Sequence, residues 1–131
     1  MIKSNAILIV EDEPSVAACL RDYLKLGGFE VDTAASGVEA IGSAQQHAPD
    51  LVILDIRLPD ISGYEVCQQI RKMYHPWSVS VLMLTGMDEP IDQLRGYAFG
   101  ADAYMTKPVE MTELMKTVNQ LLNHDEPAGA A

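Results

Sequence analysis

Five side chains that could take part in chemistry each stand at, or directly after, the end of a short apolar run of the sequence. In chain order they are Glu11, Asp12, Asp55, Thr85 and Lys107. Carboxylate oxygens without imidazole or thiolate favour a hard cation, and Mg²⁺ typically takes one or two carboxylates and keeps several waters. A carboxylate beside such a cation can attack a phosphoryl donor and form an aspartyl-phosphate. The residue types therefore predict a site that binds Mg²⁺ and carries a phosphoryl group.

Each of these side chains can be given a role in phosphoryl transfer, where positioning and charge neutralisation supply most of the catalysis. Asp55 stands alone at the end of its apolar run and is the predicted nucleophile. The cation can neutralise one phosphoryl oxygen, Lys107 a second, and the Thr85 hydroxyl a third. Because neighbouring carboxylates repel one another unless a cation lies between them, the acidic cluster itself indicates Mg²⁺ as the cofactor.

Each feature also has an ordinary structural explanation when it is taken alone. A single aspartate at a strand end is commonly a turn residue or a helix cap, and Asp12 could cap a helix that begins at Pro14. A Thr-Gly or Lys-Pro pair after a strand carries little information. The joint occurrence of these features at the ends of four predicted strands is what favours a functional site.

The apolar runs that precede these side chains are typical of buried parallel strands, and amphipathic stretches separate them. The predicted strands are 6–10, 30–34, 51–54, 79–84 and 102–105. The predicted helices begin with one from Pro14 to just before Gly27, and the others cover 37–47, 64–73, 89–98 and 110–123. Alternating strands and helices predict a parallel sheet with helices on both faces, joined by right-handed crossovers.

The fold class that follows is α/β, a doubly wound five-stranded parallel sheet in a flavodoxin-like three-layer sandwich. For five such strands the expected order is 2-1-3-4-5, and ligands bind at the switch point beyond the carboxyl ends of strands one and three. At that point Glu11, Asp12 and Asp55 are expected to stand side by side.

The composition limits the classes of function. The chain has 131 residues, 48% of them apolar, which suits one domain with a sizeable core. Its formal net charge of −10 argues against direct nucleic-acid binding by this domain. Its apolar runs are far shorter than the ~20 residues of a membrane span, and its first residues do not resemble a signal peptide, so we expect a cytoplasmic protein.

Cys19 and Cys67 lack metal-ligand spacing and are expected to be reduced, partly buried thiols.

Four motifs resemble, in the same order, those of the receiver domain of bacterial response regulators. They are Ile-Leu-Ile-Val-Glu-Asp-Glu-Pro (7–14), Leu-Val-Ile-Leu-Asp-Ile-Arg-Leu-Pro-Asp-Ile-Ser-Gly (51–63), Val-Leu-Met-Leu-Thr-Gly (81–86) and Gly-Ala-Asp-Ala-Tyr-Met-Thr-Lys-Pro (100–108). The resemblance covers about residues 5–123 and implies a receiver domain at 1–123, followed by a flexible tail or the start of a linker at 124–131. It implies a signalling switch in a two-component phosphorelay, not an enzyme that turns over a separate substrate.

The resemblance also implies roles for single residues. Asp55 would accept the phosphoryl group from a sensor histidine kinase or a histidine phosphotransfer protein. Asp12 and Asp55 would ligate Mg²⁺ directly, and Glu11 would act mostly through water. The backbone carbonyl of Arg57 would supply another ligand, and Lys107 would pair with the phosphoryl group.

The same resemblance implies how a signal leaves the site. Thr85 would follow the phosphoryl group inward, Tyr104 would turn inward behind Thr85, and Pro108 would follow Lys107 through a cis peptide bond. The surface formed by helix four, strand five and helix five would then signal to an output domain or to a downstream protein.

Several positions depart from the usual pattern of that family. Glu11 replaces the more usual aspartate, and its extra methylene favours water-mediated contact with a metal. Residues 107–109 read Lys-Pro-Val, where winged-helix transcriptional regulators commonly have Lys-Pro-Phe. Gln93 and Ala103 stand where those regulators tend to carry arginine and aspartate for a dimer interface, which disfavours a symmetric dimer of that type.

A test of phosphotransfer with Mg²⁺ would distinguish a receiver domain from three other classes of protein. An FMN-binding flavodoxin has the same topology, but the acidic run at 11–13 would repel its phosphate. A haloacid-dehalogenase-type phosphatase needs a second aspartate two residues after the nucleophile, where this chain has Arg57. A phosphate-independent pseudo-receiver would not need the acidic, hydroxyl and lysine side chains that are all present. The domain acts either alone or within a longer protein, and the linker-like residues 125–131 favour the second.

Overall fold

Within residues 5–75 and 77–123, which the computed structural model describes, five β-strands alternate with five α-helices. The strands are β1 (Ala6–Val10), β2 (Glu30–Ala34), β3 (Leu51–Leu54), β4 (Ser80–Thr85) and β5 (Ala103–Thr106). The helices are α1 (Pro14–Leu26), α2 (Gly37–Gln46), α3 (Gly63–Met73), α4 (Pro90–Ala98) and α5 (Met111–Leu122). The predicted bounds differ from these by at most one residue at each end. The predicted tail at 124–131 lies outside the described residues.

The strands form one parallel sheet in the order β2-β1-β3-β4-β5, which confirms the predicted topology and fold class. β1 is paired on both sides, with Val10 opposite Ala34 of β2 and opposite Leu54 of β3. The carboxyl ends of β1 and β3 are therefore level with each other in the middle of the sheet. This register brings the residues that follow Val10 and Leu54 to neighbouring places.

Alternating side chains of the strands form a core on each face of the sheet, as expected for strands buried on both sides. α1 and α5 cover one face, and α2 and α3 cover the other. The larger helix side chains in the two cores are, on the first face, Leu20, Leu24, Leu114 and Val118 and, on the second, Val66 and Ile70. The result is the predicted three-layer sandwich. None of the described helices combines the length and the apolar character that a membrane span needs.

The two cysteines differ in burial, which corrects the expectation that both are partly buried. Cys67 lies on the face of α3 that packs on the sheet, and burial raises the pKa of its thiol to about 11. Cys19 is exposed, because the buried stripe of α1 runs through Ala17 and Leu20 and leaves residue 19 on the outer side.

A carboxylate ties the loop between β3 and α3 to the start of α2. Asp60 accepts hydrogen bonds from the backbone N–H groups of Gly37 and Val38, both at 2.8 Å, and so caps a helix that is distant in sequence. These bonds, the one from Val38 first, hold the pKa of the Asp60 carboxyl below its usual range. Ser36 completes the cap by accepting a hydrogen bond from the N–H of Glu39. The loop that follows β3 is therefore fixed to α2.

An arginine joins three elements at the opposite end of the sheet. Arg71 of α3 donates to the carbonyl of Gly100 at 2.9 Å, to the carbonyl of Val79 at 2.6 Å and to the carboxylate of Asp102 at 2.6 Å. The same Asp102 oxygen accepts the N–H of Val81 at 2.8 Å. α3, the start of β4 and the connection from α4 to β5 are thereby held as one unit.

Replacing Arg71 with alanine is expected to destabilise the fold by about 2–4 kcal/mol, because two carbonyls and the Asp102 carboxylate lose a charged donor. Arg21→Ala is the matched control, since Arg21 pairs on the surface with Asp22. The control is expected to change stability by less than about 1 kcal/mol. Urea denaturation followed by circular dichroism measures both variants. Equal losses would show that the Arg71 contacts do not hold these elements together.

Candidate functional site

The carboxyl ends of β1, β3 and β5 bring three of the predicted site residues into direct contact. The Lys107 ammonium donates to Glu11 Oε1 at 2.5 Å and to Asp55 Oδ2 at 2.7 Å. Glu11 and Asp55 are buried, with 5% and 8% of their surface exposed, and Lys107 is half-buried. Buried carboxylates need a charge partner, so the lysine is what allows two acids to lie side by side at this end of the sheet.

Asp55 projects from a backbone that is fixed on both sides. Its N–H donates to the Val10 carbonyl at 3.1 Å, which extends the pairing of β3 with β1. Its Oδ1 accepts a hydrogen bond from the N–H of Arg57 at 3.2 Å, while Oδ2 faces Lys107. A Cβ added at Gly63 would overlap the Asp55 carbonyl, so the start of α3 packs directly on the main chain of Asp55. The direction of the carboxylate is therefore set by the sheet and by α3 together.

Glu11 is positioned in a similar way at the end of β1. Its N–H donates to the Ala34 carbonyl at 3.0 Å, which continues the pairing with β2. Its Oε2 accepts the N–H of Glu13 at 3.1 Å, and its Oε1 accepts from Lys107. Both carboxylate oxygens of Glu11 are thus engaged by donors of this chain.

Lys107 reaches the two acids from the neighbouring side of the sheet. Its N–H donates to the Thr85 carbonyl at 2.8 Å, and its peptide bond to Pro108 is cis. Burial of the ammonium lowers the pKa of Lys107, but hydrogen bonds to Asp55 and Glu11 outweigh burial and leave that pKa above its usual range. The lysine is therefore held as a cation beside the predicted nucleophile.

Thr85 and Tyr104, the predicted switch residues, both contact the loop between β4 and α4. Thr85 is fully buried, and its Oγ1 accepts a hydrogen bond from the N–H of Met87 at 3.4 Å. Tyr104 is half-buried, and its hydroxyl donates to the Met87 carbonyl at 2.7 Å. Burial is the main cause that raises the pKa of Tyr104 to about 12. One loop residue, Met87, therefore joins the two side chains.

Asp12 is exposed and lies outside the cluster of Glu11, Asp55 and Lys107. It lines, together with Glu11 and Arg21, a groove of about 230 Å³ between α1, β2 and α2. Among residues 5–75 and 77–123, no three acidic, histidine or cysteine side chains converge into a ready metal site. The structure thus brings together two of the three predicted carboxylates, because the Lys107 ammonium joins Glu11 and Asp55 while Asp12 faces solvent.

The oxygen donors predicted to hold the cation nevertheless fit a hard divalent ion by their chemistry. The side chains of Asp12 and Asp55 and the main-chain carbonyl of Arg57 offer oxygen ligands alone. Mg²⁺ needs one or two carboxylates and completes its shell with water, so a convergence of three carboxylates is not required. The donor set is therefore compatible with the predicted cofactor.

Sequence analysis missed three residues that shape the site. Gly63 packs against the main chain of Asp55, and Met87 contacts both switch residues. Asp60 anchors the loop between β3 and α3 to α2. Pro59, Asp60, Ser62 and Gly63 are residue types that are common in turns, but residue type alone does not indicate which groups such a loop contacts. Those partners are backbone groups that the tertiary fold brings in from other elements.

Comparison with known proteins places the chain in a family. A model of the response regulator receiver domain matches residues 7–119. The chain is 42% identical over 127 residues to the alkaline phosphatase synthesis transcriptional regulatory protein PhoP of Bacillus subtilis, covering 95% of this chain and 51% of that protein. It is 41% identical over 121 residues to the phosphate regulon transcriptional regulatory protein PhoB of Rhizobium meliloti, covering 92% and 53%. The chain spans about half the length of the curated relatives it matches.

Solved structures agree with this placement. A CheY-like response regulator receiver domain protein from Methanospirillum hungatei superposes with a TM-score of 0.89 at 28% identity, covering 95% of this chain and 98% of that one. A putative response regulator from Chloroflexus aurantiacus superposes with a TM-score of 0.84 at 38% identity, covering 92% and 98%. Because fold, sequence and family model agree over nearly the whole described chain, it belongs to the receiver domain family of two-component response regulators.

Proposed function

We propose that this domain is a phosphorylation switch whose phosphoacceptor is Asp55. The phosphoryl group comes from a sensor histidine kinase or a histidine phosphotransfer protein, and Mg²⁺ assists the transfer. The observation that carries the proposal is the Lys107 ammonium, which lies 2.7 Å from an Asp55 carboxylate oxygen. A fixed cation beside a buried carboxylate is what charge neutralisation of an incoming phosphoryl group requires.

The transfer exchanges one bond to phosphorus for another. A carboxylate oxygen of Asp55 attacks the phosphorus, the bond from phosphorus to the donor imidazole nitrogen breaks, and the imidazole leaves with the bonding electron pair. Oδ1 is the more weakly held oxygen, since it accepts the Arg57 N–H at 3.2 Å whereas Oδ2 accepts the Lys107 ammonium at 2.7 Å. Lys107 then pairs with the phosphoryl oxygens and keeps their charge compensated.

Asp12, Asp55 and the main-chain carbonyl of Arg57 are the residues that would hold Mg²⁺ directly. When bound, the ion neutralises charge on the phosphoryl oxygens. Glu11 already gives one oxygen to Lys107 and the other to the N–H of Glu13, which favours contact with the ion through water. Asp12 is exposed on the groove side, so its carboxylate can turn toward the ion without leaving a buried position.

The signal leaves through Thr85 and Tyr104 to the surface of α4, β5 and α5. When the Thr85 hydroxyl turns to the phosphoryl group, Met87 loses the acceptor of its N–H. The loop between β4 and α4 can then rearrange, and the Tyr104 hydroxyl is released from the Met87 carbonyl. Phosphorylation thereby favours a second packing of this surface, which an output domain or a downstream protein reads.

A groove beside Lys107 supports delivery of the phosphoryl group by a protein. It has a volume of about 470 Å³, and its apolar lining comes from α1 and from the segment after β5, namely Val16, Leu20, Pro108, Val109 and Met111. Asp55 is 8% exposed, and a partner docked at this groove would present its donor histidine beside that carboxylate. We place this exchange in the cytoplasm of a bacterium, with no direct contact to nucleic acid by this domain.

The first prediction for this function concerns the acceptor. Incubation with Mg²⁺ and a small phosphodonor is expected to add one phosphoryl group to the wild type and none to Asp55→Asn, because the amide is not a nucleophile. Intact-protein mass spectrometry gives the stoichiometry. Asp22→Asn, a change at an exposed aspartate of α1, is the control and should be labelled like the wild type. Full labelling of Asp55→Asn would overturn the assignment.

The second prediction concerns the cation. Asp12→Ala is expected to weaken Mg²⁺ binding by about tenfold or more, since loss of even an outer-shell partner of a metal commonly costs about 10–100-fold. Isothermal titration calorimetry measures the affinity. Glu13→Ala removes an exposed neighbouring carboxylate and is expected to leave that affinity nearly unchanged. Equal affinities in the two variants would place the cation elsewhere.

The third prediction concerns the switch. Thr85→Ala is expected to accept a phosphoryl group at Asp55. Beryllofluoride is expected to change the amide resonances of residues 86–110 of this variant very little, because the hydroxyl that would contact the phosphoryl group is missing. Thr85→Ser keeps a hydroxyl and should restore the response. Two-dimensional NMR with and without the mimic makes the comparison. A response in Thr85→Ala as large as in the wild type would rule out this coupling.

A further inference from the structure

None of the apolar side chains of α4 is fully buried against the domain. Its buried residues are Asp92 and Gly96, and its large apolar side chains point to solvent, with exposures of 52% for Ile91, 65% for Leu94 and 44% for Tyr97. Burial of apolar surface is the main force that holds a helix on a sheet. Specific contacts from neighbouring elements must therefore supply much of what holds α4 in place.

The contacts at the carboxyl end of α4 form a firm attachment to α3. The Cys67 thiol donates to the Phe99 carbonyl at 3.3 Å, and Arg71 donates to the carbonyl of Gly100 at 2.9 Å. The Phe99 ring packs on the Tyr64 ring, with 5.2 Å between the ring centres. Because three side chains of α3 hold this end, a displacement of α4 pivots here and is largest at the amino end.

Two tyrosine hydroxyls hold the amino end of α4. Tyr104 of β5 donates to the Met87 carbonyl just before the helix, and Tyr64 of α3 donates to the Asp92 carbonyl within it at 3.1 Å. The Tyr104 contact belongs to the switch proposed above. The Tyr64 contact has no role in that mechanism.

The backbone of Tyr64 is held in place next to the proposed phosphoacceptor, Asp55. It follows Gly63, whose N–H donates to the Ile56 carbonyl at 2.7 Å and whose Cα lies against the Asp55 main chain. With its backbone fixed there and its ring packed on Phe99, the Tyr64 hydroxyl cannot follow a movement of α4. A displacement of Asp92 by roughly 1 Å is enough to lengthen such a hydrogen bond beyond its working range.

We propose that Tyr64 is a restraint on the switch, in which its hydroxyl bond to the Asp92 carbonyl holds the amino end of α4 in the unphosphorylated domain and is lost when the domain is phosphorylated. The inference rests on the proposed function, because it concerns a second hydrogen bond, besides that of Tyr104, that restrains the same movement of α4. A bond present in one state alone shifts the equilibrium between the two states by its own free energy. Tyr64 thereby opposes activation.

The test removes the hydroxyl and keeps the ring. Tyr64→Phe retains the packing on Phe99 and is expected to bind beryllofluoride with Mg²⁺ about three- to tenfold more tightly, the factor that corresponds to one neutral hydrogen bond. Fluorine NMR titration of the bound mimic measures the affinity. Tyr97→Phe removes an exposed hydroxyl from α4 itself and is the matched control, with an expected affinity equal to that of the wild type.

Hydrogen exchange supplies a second readout that needs neither Mg²⁺ nor the mimic. In the unphosphorylated protein, Tyr64→Phe is expected to speed exchange of the amides of 91–96 by a similar factor and to leave the amides of β1 and β3 unchanged. Unaltered exchange in α4, or weaker binding of the mimic by Tyr64→Phe, would overturn the restraint. Failure of the wild type to bind the mimic would instead overturn the proposed function, and exchange in α4 would still decide whether Tyr64 restrains the helix.

Discussion

The functional end of this domain depends on one ammonium group placed between two buried carboxylates. Glu11 and Asp55 directly follow neighbouring strands whose ends the sheet register makes level, so their charges would repel one another if no cation lay between them. Lys107 supplies that cation from β5, two strands away from β3 in the sheet. Burial of three charged groups is tolerated because each has a partner of opposite sign. The sheet and the acid–lysine cluster are therefore mutually dependent.

The helices are held on the sheet by different forces. α1 and α5 bury leucine and valine side chains, including Leu20, Leu24 and Leu114, and form a conventional apolar layer. α4, on the other side, is held by hydrogen bonds from Tyr64 and Tyr104 and by close packing at Gly96. Hydrogen bonds are directional and are lost over short displacements. The domain thus combines helices that pack on apolar cores on both faces of the sheet with one helix, α4, that depends on a few directional contacts.

The sequence was sufficient to predict the elements and the topology, because apolar runs and helical periodicity are local signals. It also placed Glu11, Asp55 and Lys107 at one end of the sheet, since parallel strands end together. It did not predict that Asp12 faces solvent, because the direction of a side chain after a strand depends on the groups around it. The sequence also did not predict the contacts of Asp60 with α2 and of Tyr64 with α4. The partners of these two side chains are backbone groups, which leave no mark in the residue types.

The cap that Asp60 places on α2 gives the domain a sensitivity to acid that is separate from its phosphorylation chemistry. Protonation of Asp60 would weaken the cap of α2 and the anchor of the loop after Asp55 together, because the same carboxylate holds both. The pKa of Asp60 is lower in the folded protein than in the unfolded chain, so this link contributes fully above the unfolded value and is lost as the pH falls through the folded one. In a mildly acidic compartment the loop would keep its anchor. In strong acid this tie between α2 and the loop would weaken, while Ser36 would still cap α2 and Ala40 would still pack it on the sheet.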